Sequence, residues 1–103
     1  MAVDNENNII TGSRDNDVRK FNQNGNRLWT FKGHNGTIQS VVIDSQNNIY
    51  TGSSDNILIK LDLDGNEIWR YEDYIDGILS INLDNQNNIY ITDNNSSIRR
   101  LAQ

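Results

Sequence analysis

His34 is the one histidine in the sequence, and such a residue is the first candidate for a general base near neutral pH. Catalysis would require a nucleophile or a partner held beside it. The acidic residues are spaced by turns and do not form a pair suited to acid–base work. Neither the G-x-G-x-x-G nor the G-x-x-x-x-G-K pattern of phosphate-binding loops occurs. The sequence therefore predicts no catalytic residue and a protein that is not an enzyme.

The segment DLDGNE at 62–67 resembles a calcium loop, because alternating carboxylates before a glycine can supply hard oxygen ligands. Its internal copy, NQNGNR at 22–27, has no carboxylate and ends on an arginine. Both copies keep a glycine, Gly25 or Gly65, which a tight hairpin needs for a positive φ angle. We predict a structural turn, with no metal and no cofactor. A weak calcium site confined to the second copy stays open as an alternative.

Aromatic side chains are the remaining candidates for ligand binding. Trp29, Trp69, Tyr50 and Tyr90 are suited to stacking against sugars, as in lectins. All four occupy repeating positions inside predicted strands, so packing between repeats explains them more simply. Tyr74 is the one aromatic residue that we place in a loop. A carbohydrate-binding lectin remains an alternative function.

Composition and charge exclude several classes of partner. The formal net charge is −5, and basic residues are scattered except for Arg99 and Arg100, so nucleic acid is not an expected partner. Hydrophobic residues make up 35% of the chain, and no apolar run approaches the length that spans a membrane. Because cysteine is absent, disulfides and thiolate metal sites are excluded. The start, MAVDNENNII, does not resemble a signal peptide, so we expect a soluble cytoplasmic or recombinant chain.

The elements that must position these residues repeat every forty residues without an insertion. Three versions of one phrase occur, NNIITGSRDN at 7–16, NNIYTGSSDN at 47–56 and NNIYITDNNS at 87–96. Gly25 aligns with Gly65, and Trp29 aligns with Trp69. The period predicts one small structural unit that is repeated along the chain.

Within one period the pattern predicts four short strands at 38–44, 48–53, 57–63 and 66–71, which we call strands a to d. The connections are rich in Asn, Asp, Ser and Gly, so neighbouring strands must pair antiparallel. Continuous apolar runs such as VVI at 41–43 and ILI at 57–59 indicate sheets covered on both faces. Small sheets stacked face to face at this period are the blades of an all-β β-propeller.

Three propeller families share these motifs. LDLDGNEIWRYE at 61–72 and FNQNGNRLWTFK at 21–32 resemble the repeat of PQQ-like, quinoprotein-type propellers, although Lys20 and Lys60 replace its usual alanine. In that family the strand-d tryptophan docks flat against the neighbouring blade. GHNGTIQSVVIDSQNNIYTGSSDN at 33–56 resembles a WD-repeat, with Leu61-Asp62 in place of the Trp-Asp pair. GILSINLDNQNNIYITDNNSSIRRL at 77–101 is similar to NHL-type blades.

The WD-repeat resemblance implies a structural role for His34. In that family the histidine of the d–a loop hydrogen-bonds toward the aspartate of the b–c turn through a serine or threonine. His34, Asp55 and either Ser53 or Thr51 match those positions. Trp29, Trp69, Gly25 and Gly65 complete the set of predicted structural residues.

Propellers generally bind partners at the mouth formed by their d–a and b–c loops, and loops on a rigid framework commonly carry function. The predicted partner-binding residues in these loops are His34, Asn35, Asp55, Asn56, Asp73, Tyr74, Asp76, Asn94 and Asn95. They offer few apolar anchors, so we expect weak intrinsic affinity at this mouth.

Blade boundaries are predicted at about 1–36, 37–76 and 77–103, with strand a shortened in the first blade and strand d missing from the third. Three blades do not close a ring, and open ends would expose apolar faces. We therefore expect a cyclic homo-oligomer, a dimer of six blades or a trimer of nine. The predicted function is a self-assembling scaffold or binding module, from an engineered or recently amplified repeat. The alternative enzyme is a fragment of a PQQ-dependent quinoprotein.

Overall fold

The computed structural model describes residues 1–72, 77–93 and 98–101. These residues form eleven strands. In chain order they are β1 Ala2–Val3, β2 Ile9–Gly12, β3 Val18–Phe21, β4 Arg27–Phe31, β5 Ile38–Ile43, β6 Ile49–Ser53, β7 Leu58–Leu61, β8 Glu67–Tyr71, β9 Ile78–Leu83, β10 Ile89–Asp93 and β11 Ile98–Leu101. No helix within these ranges is long and apolar enough to cross a membrane.

The strands pair antiparallel in chain order and build three sheets within the described ranges. Sheet one contains β1 to β4, sheet two contains β5 to β8, and sheet three contains β9 to β11. The four predicted strands per period are therefore confirmed in sheets one and two. Predicted strand c, at 57–63, is shorter in the structure because Asp62 already belongs to the next turn. Its Oδ1 accepts hydrogen bonds from the backbone N–H groups of Asp64 and Asn66, both at 2.9 Å.

Aspartate and asparagine side chains fix the hairpins in the same way along the chain. Oδ1 of Asp4 accepts from the N–H groups of Glu6 at 2.8 Å and Asn8 at 2.9 Å, and Asp44 and Asp84 repeat this pattern. Such a side chain imitates a backbone turn and holds the loop in register. Hydrogen bonds from backbone N–H groups, most of all that of Asn88, lower the pKa of Asp84 to about 2. The Asp84 carboxylate therefore stays ionised and serves its turn.

Residues with positive φ close the turns. They are Asn7, Asn16, Asn47, Asn56 and Asn87, together with Gly25, Gly65 and Gly77. Asparagine tolerates the left-handed region better than most residues, and glycine enters it without a Cβ penalty. The abundance of asparagine in this sequence thus has a local conformational reason.

Two apolar layers separate the three sheets. The layer between sheets one and two contains Ile10, Val18, Ile38, Val41, Ile49, Ile59 and Leu61. The layer between sheets two and three contains Tyr50, Leu58, Ile78, Ile81, Ile89 and Ile91. All five residues of β6 are buried, because this strand lies in the middle sheet and is covered on both faces. The prediction of sheets stacked face to face is confirmed for sheet two.

Glycine in the second strand of a sheet permits close approach of the next sheet. A Cβ on Gly12 would lie 2.1 Å from Cγ2 of Ile38, and a Cβ on Gly52 would lie 2.5 Å from Cγ2 of Ile78. A Cβ atom does not come so close to another carbon. Ile38 and Ile78, the first residues of β5 and β9, therefore each need a glycine in the preceding sheet. The residue at the same register position in sheet three is Thr92.

Candidate functional site

The loop before β5 and the turn after β6 meet at His34. Nδ1 of its imidazole lies 3.0 Å from Oδ2 of Asp55, and Nε2 lies 2.8 Å from Oγ1 of Thr51. A carboxylate only accepts hydrogen bonds, so Nδ1 carries the proton and Nε2 accepts from the Thr51 hydroxyl. His34, in the loop before β5, and Thr51, on β6, are both buried. The hydroxyl at this site belongs to Thr51, one of the two residues that the sequence left open.

Asp55 is held by further donors. Its Oδ2 accepts from the backbone N–H of Asn35 at 2.8 Å, and its Oδ1 accepts from Ile57 N–H at 3.0 Å and from the Ser53 hydroxyl. Burial alone would raise the pKa of Asp55, but the hydrogen bonds from Ser53, Asn35 and His34 outweigh it and lower that pKa. The turn therefore contains an ionised carboxylate whose two oxygens are both engaged within the chain.

The chemistry available to His34 is limited by this environment. Burial disfavours the imidazolium and lowers the pKa of His34, although the neighbouring Asp55 opposes this shift. Both ring nitrogens already have partners, so the neutral ring has no free lone pair to accept a proton from a substrate. The geometry suits a brace between two loops, which supports the structural role predicted for His34 and Asp55.

The other predicted loop residues are placed unevenly. Asn35 is exposed beside the brace, with its N–H bound to Asp55. Asn56 has a positive φ of 70°. Its Oδ1 accepts a hydrogen bond from the N–H of Gly77 at 2.6 Å, which links the turn after β6 to the start of sheet three. The remaining predicted residues, Asp73, Tyr74, Asp76, Asn94 and Asn95, lie outside the described residues. Their role as partner-binding residues stays a prediction.

Trp29 connects sheet one to the outer turn of sheet two. Its Nε1 donates to the carbonyl of Leu63 at 3.0 Å, and a Cβ on Gly65 would lie 2.6 Å from Cδ2 of the indole. The indole thus covers Gly65. Both Gly65 and its counterpart Gly25 have a φ of 85°, and a Cβ on Gly25 would meet nothing within 4 Å. Trp69 instead contributes to the second apolar layer, with its ring 6.3 Å from that of Tyr50.

The calcium-like segment forms a turn in the structure. Both oxygens of the Asp62 carboxylate accept hydrogen bonds from within its own turn, Oδ2 taking one from the Asn66 amide at 3.3 Å. Asn22 performs the same task in the first repeat without a charge. Among the described residues, no group of three or more His, Cys, Asp or Glu side chains is arranged to hold a metal ion.

Sequence reasoning missed a buried ion pair within sheet one, between Lys20 of β3 and Asp4 of the turn after β1. Nζ of Lys20 lies 3.4 Å from Oδ2 of Asp4 and donates to the carbonyl of Leu63 at 3.0 Å. Lys20 is only 4% exposed. The available signal was a cation at one register position in each period, Lys20, Lys60 and Arg100.

The outward face of sheet three carries residues similar to those on the faces of sheets one and two that pack against the following sheet. Ile98 occupies the register position of Val18 and Leu58, which are fully buried against the next sheet. Ile98 itself is 74% exposed. Tyr90 occupies the position of the buried Tyr50, and its hydroxyl donates to Asp84 at 3.0 Å. We call the side of sheet three that carries Tyr90, Ile98 and Arg100 the forward face.

Three solved structures resemble the chain over nearly its whole length. The WD40 β-propeller domain of Doa1 covers 93% of it with a TM-score of 0.88 and 16% identity. The WD40 repeats of RRP9 cover 97% with a TM-score of 0.83, and U3-55K covers 97% with a TM-score of 0.82, each at 13% identity. The chain spans only 33% to 35% of those proteins.

Neither a family model nor a curated protein matches the chain. At such identities the structural likeness establishes the fold alone. The four-stranded antiparallel sheets therefore resemble the blades of WD40 β-propeller domains. The resemblances to PQQ-like and NHL-type repeats remain predictions from the sequence.

Proposed function

We propose that the chain is a non-enzymatic scaffold or binding module that associates with further copies of itself. In this assembly the forward face of sheet three in one copy packs against sheet one of the next. The contact reproduces the stacking that already holds sheets one, two and three together inside a single chain. Such a heterologous contact closes into a ring when its rotation divides the circle, as in a dimer or a trimer.

The exposure of Ile98 carries this proposal. Its counterparts Val18 and Leu58 are 0% exposed, because a following sheet covers them. Burying a side chain of this size contributes about 1.5–3 kcal/mol relative to leaving it in water. The forward face of sheet three has the same residue pattern as the faces that carry Val18 and Leu58, so it favours packing against another sheet.

Sheet one offers the complementary surface. Its backward face carries Val3, Ile9 and Phe21 at the register positions of Ile43, Ile49 and Leu61. Ile49 and Leu61 are buried against sheet one, whereas Val3 is 54% exposed and Ile9 and Phe21 are half-buried. Two copies can bring the forward face of sheet three against the backward face of sheet one in the orientation in which neighbouring sheets already pack within the chain. We therefore assign the covering surface to a second copy.

One position restricts how the copies meet. Thr92 stands where Gly12 and Gly52 admit the isoleucine of the following sheet. A docking sheet must therefore leave room for the threonine side chain. In sheet one the described innermost strand, β1 Ala2–Val3, contains no isoleucine.

Mass in solution tests the proposal. Light scattering coupled to size-exclusion chromatography should give two or three times the chain mass of 11.8 kDa at micromolar concentration. Ile98→Asp should yield a folded particle of one chain mass, because a carboxylate on the forward face opposes burial. A stable folded monomer of the wild-type chain would refute self-association.

Ile68→Asp is the matched control. Ile68 is 48% exposed on the outermost strand of sheet two, whose two faces are already covered by neighbouring sheets. This variant should keep the oligomeric mass of the wild type. Equal loss of association in both variants would mean that general surface apolarity, and not the forward face, drives assembly.

A further inference from the structure

A cation occupies the same register position in each of the three sheets, Lys20 in β3, Lys60 in β7 and Arg100 in β11. Lys20 shows what such a cation does between two sheets. Its Nζ lies 3.4 Å from Oδ2 of Asp4 in its own sheet and donates at 3.0 Å to the carbonyl of Leu63 in the following sheet. A buried polar contact of this kind can fix how two surfaces align, because a shifted register would leave the charge without a partner.

Arg100 makes the corresponding contact within its own sheet. Its Nε donates to the Tyr90 hydroxyl at 3.2 Å, and that hydroxyl donates to Oδ2 of Asp84 at 3.0 Å. Asp84 has the repeat position of Asp4, so the cation is tied to the same turn carboxylate, here through a tyrosine. A guanidinium carries five N–H donors, and Nε supplies only one of them. Within the described residues Arg100 has no further hydrogen-bond partner, and its side chain is exposed.

The turn at 22–26 in sheet one has the same geometry as the turn at 62–66, which receives Lys20. In both turns the first residue exchanges backbone hydrogen bonds with the fourth and the fifth, at 2.9 to 3.1 Å. The glycine in the fourth place has a φ of 85° in both. The carbonyl of Gln23 therefore has the same orientation in its turn as the carbonyl of Leu63.

The two turns differ in what lies on them. The indole of Trp29 covers Gly65, and its Nε1 donates to the Leu63 carbonyl at 3.0 Å. Gly25 is exposed, and a Cβ placed on it would meet nothing within 4 Å. In the described part of the chain no donor reaches the Gln23 carbonyl. The turn of sheet one is thus a preformed acceptor whose counterpart in sheet two already binds a cation.

We propose that Arg100 sets the register in which two copies of the chain associate. Its guanidinium donates to the carbonyl of Gln23 in the next copy and lies over Gly25 of that copy, while Nε remains on Tyr90. The inference rests on the self-association proposed above and adds the residue that determines how the two faces align. Arginine suits this task because its planar group can bind the tyrosine hydroxyl and a carbonyl at the same time.

The dissociation constant of the oligomer, measured by sedimentation velocity over a dilution series, tests the role of Arg100. Arg100→Met keeps an apolar side chain but removes the donors, so the constant should rise at least about ten-fold. Arg100→Lys should stay within about three-fold of the wild type, since Lys20 makes the equivalent contact within the chain. Arg70→Met is the matched control and should change nothing, because it removes the same charge from β8 in the middle sheet.

Gly25→Asn tests where the guanidinium lies. Asparagine tolerates the left-handed φ of this position, but its side chain would occupy the place assigned to Arg100 of the neighbouring copy. The variant should raise the dissociation constant at least about ten-fold. The double variant Arg100→Met/Gly25→Asn should lie within about three-fold of the weaker single variant, because both changes disrupt one contact.

Two results would overturn this inference while the wild type remains oligomeric. One is a pair of fold-changes that multiply in the double variant, which would show that Arg100 and Gly25 do not meet. The other is a dissociation constant that is unchanged or lower for Arg100→Met, as expected if Arg100 is a solvated surface charge. A folded monomer of the wild type would instead overturn self-association itself, and this inference with it.

Discussion

Nδ1 of His34 lies 3.0 Å from Oδ2 of Asp55, and the opposite nitrogen of the same ring lies 2.8 Å from Oγ1 of Thr51. The ring therefore joins the loop before β5 to the turn after β6 from inside the protein. A buried group whose polar atoms are all paired stabilises only while each partner remains in place. The first two predictions follow from this arrangement.

Stability should depend on pH through His34. Its folded-state pKa is lowered mainly by burial, so the unfolded chain takes up a proton first as the pH falls. The free energy of unfolding should therefore be constant just above the ordinary histidine pKa of about 6.5 and fall below it. Urea unfolding followed between pH 7 and pH 5 measures this trend.

His34→Asn is the control for that measurement, because an asparagine can donate to Asp55 but does not titrate. Its free energy of unfolding should stay flat over the same pH range. A wild-type stability that remains constant or increases from pH 7 to pH 5 would contradict the assigned protonation state.

Thr51→Val should destabilise the chain by about 1–3 kcal/mol, because Nε2 of His34 then lacks a donor in a buried site. Thr11→Val is the matched control, since Thr11 has the same register position in sheet one but is only half-buried. Its free energy of unfolding should change by less than about 0.5 kcal/mol. Chemical denaturation of both variants makes the comparison, and equal losses would show that the histidine contact is unimportant.

Gly52→Ala should cost about 1–3 kcal/mol, because the new Cβ would lie 2.5 Å from Cγ2 of Ile78. If this clash is the cause, the loss should be smaller in an Ile78→Ala background. A double-mutant cycle from urea unfolding measures the coupling between the two positions. Strict additivity of the two losses would disprove the close approach of sheets two and three at this point.

Gly25→Ala and Gly65→Ala form a matched pair, since both positions have a φ of 85°. Each alanine should lose about 1–2 kcal/mol from the left-handed backbone alone. Gly65→Ala should lose at least about 1 kcal/mol more, because its Cβ would lie 2.6 Å from the Trp29 indole. Thermal or urea unfolding of the two variants tests this, and an equal loss would exclude tight packing of Trp29 on Gly65.

The strands and turns were predictable because their causes are local. Asparagine, aspartate and glycine fall at the residues that need positive φ or a side-chain hydrogen bond, such as Asp4, Asn7 and Gly65. Runs of apolar residues between them marked β5 to β8 to within one or two residues of the observed ends. The same locality made the turn at Asp62 predictable.

The candidate site was predictable only in part. Resemblance to a WD-repeat suggested that His34 and Asp55 belong together, but choosing between Ser53 and Thr51 required the direction of each side chain from β6. The ion pair of Lys20 with Asp4 also escaped prediction, because a buried lysine contradicts the usual preference of its residue type.

The sequence by itself determined the forty-residue unit, its antiparallel strands and its turns, since each depends on residue types at fixed short spacings. Only the tertiary structure decided which faces and edges are covered. Leu58 and Ile98 are equivalent in the repeat and nearly identical in chemistry, yet one is fully buried and the other is 74% exposed. Burial depends on what packs opposite a residue, and that partner is set by contacts between sheets, which no local pattern encodes.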